Sequence, residues 1–295
     1  MRDPGEGLDV DGMITTGVRL SHIPVAYEPV LEAVISAVDS FVEGAGISRS
    51  GVELHLYGSV ATGMARLGVS DVDLLTIGVP SEAASSISQN LSRVFASVCR
   101  GVEIGAVQPA DYVGEDDVPY GNRVFLRHYC VPLWGVGAVR SDRAYPGDSR
   151  AARAFNGDIG NHLTQWRQME GQVSSPALGR RIARKTLLAV AGLVSMHDRT
   201  WTTDRESSAK RCSDLRPLAN SALDEMVAWS NGTKNASPRD IRISIQTDGI
   251  VASVVNEFTA TVGLWSASHV NMRSVRRTSY EHSPAISGLK KVTAF

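Results

Sequence analysis

The sequence predicts an α/β domain with a small mixed sheet, followed by an all-α helical bundle. Two observations carry that expectation. Helical and strand periodicities alternate up to about residue 140, and after Pro146 the texture changes to four amphipathic helical stretches in succession. A third observation separates the same two regions by charge. Residues 1–138 hold 8 Lys/Arg against 17 Asp/Glu, a net of −9, and residues 139–295 hold 22 against 14, a net of +8. An acidic half facing a basic half suits a cleft in which carboxylates hold cations and basic side chains hold phosphates, or simply two complementary docking surfaces.

Residues 24–44 (PVAYEPVLEAVISAVDSFVEG) space apolar side chains at three and four and end on glycine, which predicts a helix. VELHLYG (52–58) places Val52, Leu54 and Leu56 on one face of a strand. A small-residue turn with a short helix is expected over 58–67, and DVDLLTIGV (71–79) reads as the next strand. Residues 81–101 predict a helix capped by Ser81, and VEIGAV (102–107) a third strand. The stretch 121–139 fits either a strand or a helix returning to the domain edge. Residues 149–170, 177–198, 203–230 and 238–264 each predict an amphipathic helix of an antiparallel bundle. The expected domains are therefore 20–140 and 148–265, with 266–295 as a tail without clear periodicity.

The residues that carry chemistry lie in LYGSVATGMARLGVSDVDLLTIGV, 56–79. Asp71 and Asp73 stand two apart in a predicted strand, so their side chains leave the same face with Cβ atoms roughly 6–7 Å apart. Two carboxylates aimed at one place call for a cation between them, and their hard oxygens suit Mg²⁺ or Mn²⁺. Upstream, the strand ends at Gly58-Ser59 and a helix begins. Glycine lets a phosphate approach the backbone, and Ser59 with the helix's free N–H groups can donate to phosphate oxygens. A phosphate cradle beside a divalent-metal site supplies the two parts needed for transfer at a nucleoside triphosphate.

This pattern resembles the polymerase-β-type nucleotidyltransferase superfamily, whose signature is a hydrophobic strand, Gly-Ser, and Asp-x-Asp about a dozen residues on. The matching positions here are Gly58, Ser59, Gly63, Arg66, Ser70, Asp71, Asp73 and Leu74. The motif covers 56–79, and the surrounding elements extend the likeness over roughly 50–110; the domain order resembles the two-domain aminoglycoside nucleotidyltransferases. The resemblance implies a third carboxylate on the strand after the next helix. Glu103, the only acidic residue of VEIGAV, stands at that place, with Asp111 as a weaker rival. Such a glutamate would accept the proton of the attacking hydroxyl and touch a metal. The resemblance further implies transfer of a nucleotide, most readily AMP from ATP, to a hydroxyl of a small aminoglycoside-like molecule, with release of pyrophosphate. Transfer to tRNA or protein, or nucleotide binding without catalysis, are the alternatives; nucleic acid is the less favoured partner. Gly58, Ser59, Arg66 and Ser70 are the expected nucleotide-binding residues of the first domain. Arg184 and Lys185, in the basic helix 179–194, and Arg205 are those of the second.

Other signals are discounted. Gly58 and Gly63 have the glycine spacing of a Walker loop, but Met64-Ala65 stands where Lys-Ser/Thr is required. Ser207-x-x-Lys210 lies in a charged helix without companion motifs. His128 and His162 read as ordinary polar residues, and Trp134, Trp166, Trp201 and Trp229 chiefly as core. Cys99, Cys130 and Cys212 are odd in number and lack ligand spacing, which argues against disulfides or zinc and for a reducing cytoplasm. No apolar run is long enough to span a membrane, and the acidic, glycine-rich MRDPGEGLDVDG does not read as a signal peptide.

Overall fold

A computed structural model describes residues 3–135, 139, 142–171, 175–216 and 219–265. The expected tail, 266–295, lies outside the described residues. The first helix, α1 (Glu28–Gly44), buries Val30, Leu31, Val34, Val38 and Val42, the apolar stripe its spacing dictates. The four-stranded sheet follows the order β5-β4-β3-β6, built from β3 (Glu53–Tyr57), β4 (Val72–Ile77), β5 (Val102–Val107) and β6 (Val131–Gly135). β3 runs antiparallel to β4 and β6, while β4 and β5 are parallel, so the sheet is mixed as expected.

Strand alternation divides the side chains between two layers. Leu54, Leu56, Leu74 and Ile104 enter a core with α1 and with α3 (Ser81–Val94). The opposite face carries Leu75 and Ile77 against α4 (Asp117–Tyr129), whose Leu126 is buried there. On that face β3 also buries Glu53 and His55, 2.9 Å apart, with Glu53 accepting from the Val139 N–H at 3.0 Å. As far as Gly135, the stretch 121–139 is thus both of its alternatives, the end of a helix followed by a strand.

Two local expectations are corrected. The turn after β3 makes one helical turn only, α2 (Gly58–Ala61), and residues 62–70 form a loop. Ser81 is the first helical residue of α3 and not its cap; Pro80 stands extended at that position, with no side-chain cap bond.

The bundle has seven helices among the described residues where four were expected: α5 (Ser149–Asn156), α6 (Ile159–Met169), α7 (Ser175–Asp198), α8 (Arg205–Leu215), α9 (Asn220–Asn231), α10 (Pro238–Ile245) and α11 (Ile250–Thr261). Three of the four predicted stretches are broken in two. At the first break a Cβ on Gly157 would sit 2.4 Å from Trp265 Cδ1, and Trp265 Nε1 donates to Arg153 O at 2.8 Å. The helix stops because a tryptophan from after α11 closes over it. At the third break a Cβ on Gly249 would meet Ile243 O at 2.3 Å. Glycine lets the chain double back there before α11. Only α7 runs unbroken, and it is the bundle's central rod. Leu178, Ile182, Leu187, Val190 and Val194 are all buried on it, and residues from α5 to α11 pack around them.

The sequence predicts no element in the N-terminal segment. It forms a two-strand ladder, β1 (Gly7–Leu8) with β2 (Ile14–Thr15), and Ile14 enters the bundle core together with Tyr120, Val124 and Tyr145. Residues up to Trp265 form one compact unit. Trp166, Trp201 and Trp229 are buried as core, and no described helix is long and apolar enough to cross a membrane.

Candidate active site

At one end of the sheet β3 finishes while β4 and β5 begin, and the acidic residues gather there. Strand register puts Tyr57 opposite Asp73, and Asp73 beside Glu103. The three therefore form one cross-strand row on one face, at the roughly 4.8 Å spacing of neighbouring strands. Asp71 precedes Asp73 by two and belongs to the same end. The charges act on one another. Burial first, then Glu103 and Asp71, push the Asp73 carboxyl up to about 7. Partial desolvation, then Asp71, raises Glu103.

Gly58 is required by this arrangement. Its φ of +75° is a left-handed conformation, and a Cβ there would stand 2.4 Å from Asp73 Oδ2. The glycine thus lets the Asp73 carboxylate pack against the backbone and turns the chain into α2, which begins Gly58-Ser59.

The carboxylates do not converge as a ligand set in this conformation: among the described residues no three His, Cys, Asp or Glu side chains stand close enough to hold a metal ion. Of the expected trio Asp71, Asp73 and Glu103, the first is engaged by Arg100. Its guanidinium grips Asp71 through two bonds, Nε to Oδ1 at 2.9 Å and Nη2 to Oδ2. The Asp71 hydrogen bond, ahead of partial burial, sets Arg100 above its ordinary value, and the other two carboxylates add to it. Sequence reading missed Arg100. No local signal marks it, since Arg100-Gly101 reads as an ordinary turn before β5, and its partner lies 29 residues away.

The basic residues predicted from the second half separate sharply. Arg184 faces the acidic end: Glu103 and Asp71 act on it, while partial desolvation, Arg180 and Arg100 push its guanidinium down. Arg205 stands beside it, lowered by burial and then by Arg184. Neither arginine has an ion pair among the described residues. Lys185 is corrected. Adjacent helical positions point about 100° apart, and Lys185 turns into the bundle. There its Nζ lies 2.6 Å from Asp158 Oδ1 and donates to Phe155 O at 3.0 Å.

In the first half, Ser70 Oγ accepts from Arg66 N–H at 2.9 Å, closing the 66–70 loop, and the Arg66 side chain is exposed. Asp111 is spent on a capping bond from Gln108 N–H at 2.8 Å. His128 accepts from Tyr145 N–H and is pushed down to about 4, chiefly by burial, so it stays a neutral structural group.

No protein-family model matches this chain, and no curated protein does. Among solved structures it is similar to the spectinomycin adenyltransferase AAD(9) from Enterococcus faecialis, crystallised with ATP and spectinomycin. The identity is 9%, the TM-score 0.44, and the match covers 78% of this chain and 98% of that one.

Proposed function

We propose that the chain is a metal-dependent nucleotidyltransferase that moves AMP from ATP onto a hydroxyl of a small molecule, releasing pyrophosphate. The observation that carries this reading is the opposition of two incomplete charge sets. Asp71, Asp73 and Glu103 crowd one end of the sheet, Arg184 faces it, and Arg205 stands beside Arg184; neither arginine has an ion pair among the described residues. Each set is unfavourable alone. Burial first, and then the neighbouring carboxylates, lift Asp73 and Glu103, and Arg205 stands at the first position of α8, where the helix dipole opposes a cation. A magnesium triphosphate relieves both sets at once, with the cation at the carboxylates and the phosphates at the guanidiniums.

The donor set fits Mg²⁺ or Mn²⁺: hard carboxylate oxygens, a glycine against which the Asp73 carboxylate packs, and a repulsion among carboxylates that a cation would cancel. Asp71, Asp73 and Glu103 would hold it once Asp71 leaves Arg100. When bound, the divalent ion supplies charge neutralisation at the attacking and leaving oxygens. The chain's own groups do the rest. Gly58 and Ser59 receive the phosphates against the backbone, with Arg66 and Ser70 on the adjoining loop, while Arg184 and Arg205 fix the triphosphate. Glu103, exposed at the edge of the row, accepts the acceptor's hydroxyl proton. The oxygen so freed forms its bond to the α-phosphorus as the bond to the pyrophosphate oxygen breaks.

A small hydroxylated acceptor such as an aminoglycoside-like antibiotic is the favoured class, with ATP as donor. Incubation with α-labelled ATP, Mg²⁺ and separate pools of hydroxylated antibiotics, RNA and protein tests the reading. One added adenylate on a small molecule is the expected product. Label on RNA or protein would replace the acceptor class, and tight ATP binding with no pyrophosphate from any pool would remove the reaction.

A further inference from the structure

The segment that delivers Arg205 to the site is held by a residue from the other end of the chain. Glu6, in the N-terminal segment just before β1, accepts from Tyr129 Oη at 2.8 Å, from Thr203 N–H at 2.8 Å, from Thr203 Oγ1 at 2.7 Å and from Thr202 Oγ1 at 3.2 Å. One carboxylate thus gathers four donors, three of them from the two residues that lead into α8. The cluster extends further: Trp201 Nε1 donates to the same Tyr129 oxygen at 2.7 Å, and Thr202 N–H donates to Ser195 Oγ of α7 at 3.1 Å. Asp204 follows as the cap of α8, accepting from Ser207 N–H at 2.9 Å, and Arg205 is the first residue of that helix.

Arg205 makes no ion pair among the described residues, and the adjoining Asp204 is the anion that acts on it. Arg205 stands beside Arg184, repelled by it, with the α8 dipole against it. Its place beside Arg184 is therefore set by the backbone of 201–204, and that backbone is set by Glu6 and the Tyr129–Trp201 pair. An aromatic run ties the same cluster to the acidic end of the sheet. Tyr57 meets Phe125 at 5.2 Å between ring centroids, Phe125 stacks on Tyr129 at 5.9 Å, and Tyr129 meets Phe155, which meets Trp201.

We propose that Glu6 is a positioning residue for triphosphate binding, which holds the Thr202–Asp204 segment so that Arg205 and Arg184 present a paired guanidinium site. This rests on the nucleotidyltransferase reading for what the arginines bind. Glu6 touches no substrate in it and acts through Arg205.

The full-length protein is titrated by calorimetry with ATP and with inorganic tripolyphosphate at fixed ionic strength. Glu6→Gln and Thr203→Val should each weaken both probes about tenfold, the scale of losing a charge-assisted hydrogen bond or two. Thr203→Ser, which keeps the hydroxyl, should stay within about twofold of wild type. In an Arg205→Ala background Glu6→Gln should add almost nothing, a coupling that mere loss of stability would not give. Wild-type affinity in folded Glu6→Gln or Thr203→Val protein overturns the positioning role alone, as does an undiminished Glu6→Gln effect in the Arg205→Ala background. Wild-type affinity in Arg205→Ala overturns the phosphate-binding reading, and the role of Glu6 with it. Should Glu6→Gln not fold, the Thr203→Val and Thr203→Ser pair decides.

Discussion

The acidic end of the sheet and the basic face of the bundle are built by different means. Three strands in register place Tyr57, Asp73 and Glu103 side by side, so one short motif and the pleat determine who neighbours whom. Arg184 and Arg205 come from two helices whose rotation and junction are decided by core packing and by Glu6, far away in sequence. The acidic side is a local structure that happens to be charged. The basic side is a long-range assembly that could have turned a neighbouring cation inward, and at Lys185 it did.

The sharpest way to break that comparison is at Asp73. Asp73→Asn should lower kcat/KM by at least about 10²–10³-fold, since it removes a charge from the site where the transition state develops its own. The same change should stabilise the protein without metal at alkaline pH. Asp73 has its pKa raised from 3.8 to about 7, so between these values the native state binds a proton that the unfolded chain releases. Wild-type stability therefore falls as pH rises from about 4 through about 7 and stays low above. The gain in Asp73→Asn should be near zero below pH 4 and about 2 kcal/mol at pH 8, after discounting for screening. Denaturant melts at the two pH values, with EDTA present, check it; equal gains at both would show that burial and the neighbouring carboxylates do not raise Asp73.

Arg184 and Lys185 are adjacent and chemically alike, yet the structure gives them opposite employments. Arg184→Ala should weaken ATP by about 10-fold or more, with little loss of stability, because it removes charged hydrogen bonds to phosphate. Lys185→Met should leave ATP affinity nearly unchanged while costing about 3 kcal/mol, because it takes the lysine cation from the buried Asp158 carboxylate 2.6 Å away. Calorimetry and chemical denaturation on the same two proteins separate them. An exchange of the two phenotypes would mean that α7 is rotated from the orientation described.

Arg100 is a smaller lever on the same end of the sheet. Its paired bonds compete with any cation for Asp71, so Arg100→Gln should tighten Mn²⁺ binding about three- to tenfold, read by loss of the free-ion paramagnetic resonance signal. Unchanged Mn²⁺ affinity would remove Asp71 from the ligand set.

These cases also show how much was legible beforehand. Strand alternation and the Gly58-Ser59 to Asp71/Asp73 spacing are local, and β5 matches its predicted bounds because its alternation is uninterrupted. The helix breaks at Gly157 and Gly249 were not legible, since each glycine is demanded by a residue arriving from elsewhere, Trp265 in the first case. Lys185 was misplaced for the same reason: helical periodicity tells which residues share a face, not which face meets the site. Glu53 and His55 carry no apolar signal, yet their face of β3 is buried as well. Glu6 and Arg100 carry no pattern at all, only partners far along the chain.

The smallest expected effect lies at the turn that joins the two basic helices. Arg199, directly after α7, has φ +51°, the one non-glycine residue in left-handed conformation among those described. That conformation crowds Cβ against the following carbonyl and costs about 1–2 kcal/mol for most side chains, which is why glycine so often ends a helix. The turn cannot relax, because Thr200 N–H donates to Ser195 O at 3.0 Å and Thr202 N–H to Ser195 Oγ, which fixes the chain on both sides of it. Arg199→Gly relieves the strain but frees the unfolded chain by about 0.5–1 kcal/mol. The net should be a gain below about 1 kcal/mol, visible as a midpoint rise of about 2–4 °C at most. ATP affinity should stay within about twofold of wild type if Glu6, and not this turn, fixes the approach of Arg205. A larger drop in affinity from Arg199→Gly, with stability unchanged or raised, would move the control of the arginine pair from the Glu6 cluster to the end of α7.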